Sequence, residues 1–250
     1  MRPLFPALLS ALMLASPALA FDIENMTEAE RAAFNQAVRD YLVANPDVLV
    51  ESYATLQRQE EAAQADREKA VLAENHDAIF NDPNSWVGGN PEGDVTVVEF
   101  IDYRCGYCRK AWEEVDDLVT SDGNIRFVLK EFPILGEQSV LSSRFAIAVR
   151  MLHGDDAYRQ THDALLTLRA DATPETLARL AGDLGLDPAP IAAKMDSDEV
   201  TAIIAENHRI ANALEINGTP TFVVNGKVVH GYVPLEGMKQ IVAEERADQG

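Results

Sequence analysis

A short, nearly continuous apolar run, Val95-Thr96-Val97-Val98-Glu99-Phe100-Ile101, leads almost at once into Cys105-Gly106-Tyr107-Cys108, and helical character follows from Lys110 to Val119. The run suits a buried strand, so the cysteine pair falls where a strand hands over to a helix. Few chain paths satisfy that arrangement. Ile125-Arg126-Phe127-Val128-Leu129 then reads as a second strand, entering Lys130-Glu131-Phe132-Pro133. Strand, helix, strand of this length is a βαβ unit.

Residues 137–213 are predominantly helical. Phe145, Ala148, Val149 and Leu152 share one face of the stretch Ser142 to Leu152. Asp156 to Leu168, Pro174 to Leu184 and Asp198 to Leu214 are further helices separated by Gly and Pro. Thr221-Phe222-Val223-Val224 and Lys227-Val228-Val229 flank Asn225-Gly226, a strong hairpin signal between β-branched runs. A last helix runs from Leu235 to about Glu245. The order βαβ, helical block, hairpin, helix predicts an α/β chain with a thioredoxin-like core and a helical insertion at about 137–213.

Residues 27–80 read as helix in two pieces. Thr27 and Glu30 make a capping box, and Phe34, Val38, Tyr41 and Leu42 recur at helical spacing. Asn45-Pro46 interrupts the helix and Pro46 suits the first turn of the next. There Leu49, Leu56, Ala63 and Ala70 recur every seven residues, but the repeat ends in small side chains and carries little weight for a coiled coil. From Gln57 to Lys69 the sequence is polar and alanine-rich, either a stalk or a solvated helix. The apolar stripe from Phe34 to Leu56 favours self-association, which makes 21–80 an oligomerisation and stalk region. Asn81 to Asp94, rich in Asn, Gly and Pro, reads as a boundary loop, and the catalytic domain is expected over 85–250.

The first twenty residues read as a leader. Arg2, the apolar stretch Leu4 to Leu14 and the Ala18-Leu19-Ala20 pattern fit a secretory signal cleaved before Phe21. An uncleaved anchor is the competing reading, weakened by the shortness of the run and its prolines. With 41 acidic against 21 basic side chains the chain is strongly anionic, which disfavours nucleic acid and anionic lipid as partners.

Exported cysteines normally form structural bridges, yet two cysteines this close would close a tiny loop that constrains the unfolded chain little. Redox chemistry is the better reason for the pair. At a helix N-terminus, unpaired backbone donors and the helix dipole stabilise a thiolate, bringing Cys105 from ~8.5 into the range ~3.5–7.5. Cys105 would exchange through a mixed disulfide and Cys108, one turn later, would resolve it. Zinc would need two further ligands, and His76, His153, His162, His208 and His230 are scattered with no helical pair. No metal and no cofactor is expected.

Glu99 stands in the apolar strand six residues before Cys105. Buried beneath the pair, it could accept a proton as Cys108 deprotonates; on a wet face it would be a surface glutamate. Thr219-Pro220 precedes the hairpin, and X-Pro is the common site of cis peptides. A cis bond there would offer the Thr219 backbone to a substrate strand. Lys130 could share a proton with Glu99 or lie exposed at a strand end.

Phe100-x-Asp102-Tyr103-x-Cys105-Gly106-Tyr107-Cys108, the acid at Glu99, Lys130-Glu131-Phe132-Pro133, the helical insertion and Thr219-Pro220 together resemble the DsbA-like thiol–disulfide oxidoreductases over residues 85–250. The resemblance implies Cys105 as nucleophile, Cys108 as resolving cysteine, Pro220 as the cis-proline and Glu99 as the buried acid. The strong oxidase of that family has Pro-His between its cysteines. Gly-Tyr here, and threonine before the proline, look more like the DsbC-type isomerases. Tyr41-Leu42-x3-Pro46-x-Val48-Leu49 followed by a polar helix resembles the suppressor-of-copper-sensitivity protein C group, some of whose members are trimeric isomerases. The implied activity is a periplasmic disulfide isomerase or reductase acting on misfolded, cysteine-containing secreted proteins and recharged by a membrane redox partner. A monomeric oxidase is the alternative, and a copper(I)-binding partner protein a further one, since soft thiolates suit that ion.

Overall fold

The computed structural model describes residues 25–248; the segment read as a leader lies outside them. The chain divides into two compact units, with the boundary between Glu60 and Glu61. Among the described residues, no helix is long and apolar enough to cross a membrane.

The first unit holds α1 (Glu28–Ala44) and the beginning of α2 (Asp47–Glu74). The expected capping box is present: Glu30 N–H donates to Thr27 Oγ1 at 3.3 Å and Thr27 N–H to Glu30 Oε2 at 2.9 Å. Asn45 ends α1, its backbone N–H and side-chain Nδ2 both donating to Tyr41 O, at 2.9 and 2.8 Å. No residue of α1 is buried. Tyr41, Leu49, Tyr53 and Leu56 present apolar surface, between 49 and 62% exposed.

The second unit opens with the end of α2 and with α3 (His76–Phe80), then places β1 (Trp86–Gly89), β2 (Val95–Ile101), α4 (Gly106–Asp122) and β3 (Ile125–Glu131). Five helices follow: α5 (Glu137–His153), α6 (Asp155–Thr167), α7 (Pro174–Asp183), α8 (Pro188–Met195) and α9 (Asp198–Ala213). The hairpin β4 (Thr221–Val224) and β5 (Lys227–His230) and the helix α10 (Leu235–Ala247) close the chain. The sheet order is β1-β3-β2-β4-β5, with β2 and β3 parallel and every other pair antiparallel. This is the thioredoxin-like α/β fold with a helical insertion and an N-terminal helical segment.

β2 is central and covered on both faces, which is why its sequence is nearly all apolar. Val95, Val97 and Ile101 join the core that includes Val115 and Leu118 of α4 and Val242 of α10. Val98 and Phe100 join the opposite core, with Ile79, Phe80, Ile210 and Leu214. Leu72, near the end of α2, belongs to that second core, so the helix becomes part of the folded unit beyond its polar stretch.

Two elements were not expected. β1 lies inside the predicted boundary loop and pairs antiparallel with β3, Trp86 opposite Leu129. Its Gly88-Gly89 half has no side chains to alternate, so the strand carries no period-two signal. α8 spans only eight residues with prolines in its first turn, too short for helical periodicity to register.

Candidate functional site

Cys105 is the N-cap of α4, in extended conformation (φ −74°, ψ 121°). Its backbone N–H donates to Asp102 O at 3.0 Å. The Asp102 carboxylate is fully buried and accepts from the backbone N–H groups of Arg104 (2.8 Å), Ile134 (2.8 Å) and Leu135 (3.0 Å). One side chain thereby ties the β2–α4 turn to the segment leaving β3. The far end of α4 closes on Gly123 in the left-handed region (φ 71°), where glycine avoids the Cβ penalty.

The sequence-predicted residues converge. Cys105 keeps 7% of its surface exposed and Cys108 none. Across the turn, the Thr219–Pro220 peptide is cis and Cys105 Sγ lies 3.1 Å from Thr219 O, to which it donates when protonated. Gly231 N–H binds Pro220 O at 2.9 Å, fixing that loop to the far side of the hairpin. Glu99 is buried beneath the cysteines, facing Cys108 across a shared cavity.

The electrostatics separate the two thiols. Cys105 falls to about 5, first because the Cys108 thiol hydrogen-bonds its sulfur, then through the Thr219 side chain and the N–H groups of Cys108 and Tyr107, against an opposing effect of burial. Cys108 moves far upward, chiefly by burial, then by its bond to Cys105 and the nearby Glu99 charge. Glu99 rises to about 8 by burial, with the Cys105 charge adding. At neutral pH the outer sulfur is therefore a thiolate, the inner one a thiol, and the carboxyl beneath them is poised to gain or lose a proton.

Lys130 does neither of the things expected of it. It is fully buried, but its register partner is Phe100 while that of Glu99 is Leu129. Facing residues of paired strands share a side of the sheet, so Lys130 points away from Glu99. Its Nζ instead donates to Asp82 Oδ2 and Ser85 Oγ, both at 3.0 Å, and burial lowers its pKa against the pull of Asp82.

Sequence reasoning missed a second buried carboxyl. Glu131 Oε1 accepts from Tyr103 Oη (2.8 Å) and Tyr158 Oη (2.6 Å), and Tyr103 Oη lies 3.2 Å from His162 Nδ1. Burial lifts Glu131 to about 7 against the downward effect of the tyrosines. Burial, with the Arg159 charge, drops His162 to about 3. An acid at the end of an apolar strand was the only available hint. At the rim, Tyr107 is 62% exposed and stacks on Tyr232 at 6.2 Å. Tyr232 is held by Glu114 Oε1 at 2.6 Å and covered by Lys110 Nζ at 4.1 Å.

Comparison with known proteins places this geometry. The DSBA-like thioredoxin domain matches residues 96–243, and the copper resistance protein ScsC N-terminal domain matches residues 30–63. A thioredoxin-like oxidoreductase from Silicibacter pomeroyi is 44% identical, with TM-score 0.64, covering 70% of this chain and 99% of its own. A linker-deletion mutant of Proteus mirabilis ScsC shares the fold at 23% identity and TM-score 0.69, over 89% of this chain and 98% of its own. A Salinispora tropica Na(+)/H(+) antiporter NhaA 3 is 27% identical over 84% of this chain, which spans 33% of the antiporter's length. The chain belongs to the DSBA-like thioredoxin family, and its N-terminal helices match the ScsC N-terminal domain.

Proposed function

We propose that the chain is a disulfide isomerase and reductase of exported proteins, with Cys105 as its attacking thiolate. The Cys105 thiolate attacks a substrate disulfide; a new S–S bond joins enzyme and substrate, and one substrate sulfur leaves as thiolate. In isomerisation that freed thiolate attacks another substrate disulfide and frees a further thiolate, which finally attacks the substrate sulfur bonded to Cys105, so that Cys105 leaves as thiolate. In reduction Cys108 passes its proton to Glu99 and attacks Cys105. The substrate sulfur departs, taking the proton from Glu99, and a Cys105–Cys108 disulfide remains. A membrane redox partner then returns two electrons, and one proton restores the Cys108 thiol beside the Cys105 thiolate. Thr219, presented beside cis Pro220, pairs its backbone with the substrate strand during these steps.

The observation that carries the isomerase direction is the uncovered apolar stripe of α1 and α2, including Tyr41, Leu49, Tyr53 and Leu56. A second copy of this chain covers it, a trimer being the arrangement that the ScsC resemblance suggests. Several active sites then share one misfolded substrate, and effective concentration keeps it captured while its pairing changes. Tyr107 supports the same direction, because no imidazolium stands between the cysteines to hold the thiolate further. Residues 1–20 serve as a cleaved leader, and the mature chain works in the periplasm on misfolded, cysteine-containing proteins.

Refolding of scrambled ribonuclease beside oxidation of reduced ribonuclease separates the directions. The expected result is recovery of native ribonuclease from the scrambled form by the reduced protein, with slower oxidation of the reduced form by its disulfide. Rapid oxidation without unscrambling would replace this reading with that of an oxidase.

A further inference from the structure

Behind the dithiol, bounded by β1, β2, α4 and α6, lies a cavity of about 390 Å³ that reaches both Glu99 and Cys108. Its volume falls within the range of roughly 300–1,000 Å³ typical of small-molecule sites. The walls are built and held. Trp86 Nε1 donates to Asp155 O and Trp112 Nε1 to Asp163 Oδ1, each at 3.1 Å. Trp86 also stacks on Tyr158 at 5.9 Å and meets Phe127 edge-on at 6.3 Å. Beside it the strand is bare backbone: a Cβ at Gly88 would collide with the Trp86 ring, and one at Gly89 (φ 67°) with Ile125 O and Val119. The twin glycines let an indole fold over the strand.

The polar groups select among ligands. The Glu99 side chain is almost wholly buried and lines the cavity, yet among the described residues it makes no hydrogen bond. Its carboxyl opens onto the cavity, within reach of a guest there. Arg159, at the same cavity, is already committed to Asp116 at 2.7 Å and Asp163 at 3.0 Å. His162 is held neutral by burial. An anionic guest would thus enter an aromatic space beside a buried acid with no free cation, an unfavourable transfer. A flat, uncharged guest with one hydrogen-bonding group meets aromatic faces and a carboxyl to pair with.

We propose that this cavity is a binding site for a small, uncharged aromatic molecule, seated between Trp86, Trp112 and Phe127 with its polar group toward Glu99. The site is separate from the face where Cys105 meets Thr219, and the inference holds whichever way thiol exchange runs. Occupancy places the guest against Cys108 and couples the cavity to the dithiol.

The test is titration of the full chain with benzamide, followed by calorimetry and indole emission, with benzoate as the charged comparator. The chain has two tryptophans and both line this cavity, so emission reports on the site directly. Benzamide is expected to saturate at one per chain, with benzoate about tenfold weaker or worse. Val119→Phe, which puts a ring into the cavity, is expected to weaken benzamide about tenfold. Should that core change unfold the protein, Thr120→Phe at the exposed rim is expected to do the same. No saturation, equal binding of benzamide and benzoate, or unaltered affinity in a folded variant overturns the proposal.

Discussion

At the scale of the residue, two sulfurs of one motif carry opposite electrostatics, and their substitution should separate them. Cys105→Ser is expected to abolish turnover, whereas Cys108→Ala leaves mixed disulfides that non-reducing electrophoresis resolves; turnover surviving in the first variant would remove Cys105 from its role. Glu99 supplies a pH signature. Its rise to about 8 includes a contribution from the Cys105 charge, and that charge is gone in the mixed disulfide. The resolving step should accelerate with pH toward a plateau at or somewhat below about 8, and Glu99→Gln should flatten and slow it. Stopped-flow release of a fluorescent peptide from the mixed disulfide reads both effects. Glu131 acts on stability instead. Its folded value of about 7 stands above an ordinary 4.5, so the folded state holds a proton that the unfolded chain gives up first. The stabilisation is complete below pH 4.5 and lost as pH rises through about 7, on the order of 3 kcal/mol. Denaturant unfolding at pH 4.5 and 8 should show the drop in the native sequence and a smaller one in Glu131→Gln. Equal drops would place the effect elsewhere.

At the scale of the element, the strand-to-helix turn is organised by Asp102, which satisfies three backbone N–H groups from two segments. Hydrogen bonds to a charged group contribute about 1.5–3 kcal/mol each, though not additively. Asp102→Ala is therefore expected to cost about 2–4 kcal/mol by denaturant unfolding. It should also loosen the turn that presents Cys105, because Arg104 N–H loses its carboxylate acceptor. The site elements were legible in sequence because each leaves a local mark: an apolar run before two cysteines, Asn-Gly between β-branched runs, a threonine before proline. What was illegible depends on register. Nothing local says that Lys130 pairs opposite Phe100 rather than Glu99, and one step of register reverses which face a side chain takes. The contacts of Glu131 with Tyr103 and Tyr158 join distant segments, so only the folded sheet and α6 reveal them. β1 escaped notice because its glycines serve the Trp86 ring rather than an alternating strand.

At the scale of the whole molecule, the question is where the catalytic unit begins. Composition suggests a boundary in the Asn-, Gly- and Pro-rich stretch after Phe80. Packing puts the division between Glu60 and Glu61, because Leu72, Ile79 and Phe80 bury in the core beneath β2. The two boundaries predict different truncations. Removing residues 21–60 takes away the exposed stripe and leaves that core intact. The product is expected to sediment as a monomer, to retain thiol exchange with a small peptide disulfide, and to lose most unscrambling of ribonuclease. Removing residues 21–80 also strips three buried apolar side chains, each worth roughly 1.5–3 kcal/mol when fully buried. That loss approaches the 5–15 kcal/mol that holds a typical domain together, so the longer deletion is expected to melt far lower and to lose peptide exchange as well. Sedimentation velocity, thermal melting and the two assays on both truncations decide the matter. A full chain that sediments as a monomer, or a short truncation that unscrambles ribonuclease at the full rate, would detach the helices from isomerisation and leave the Cys105 chemistry standing alone.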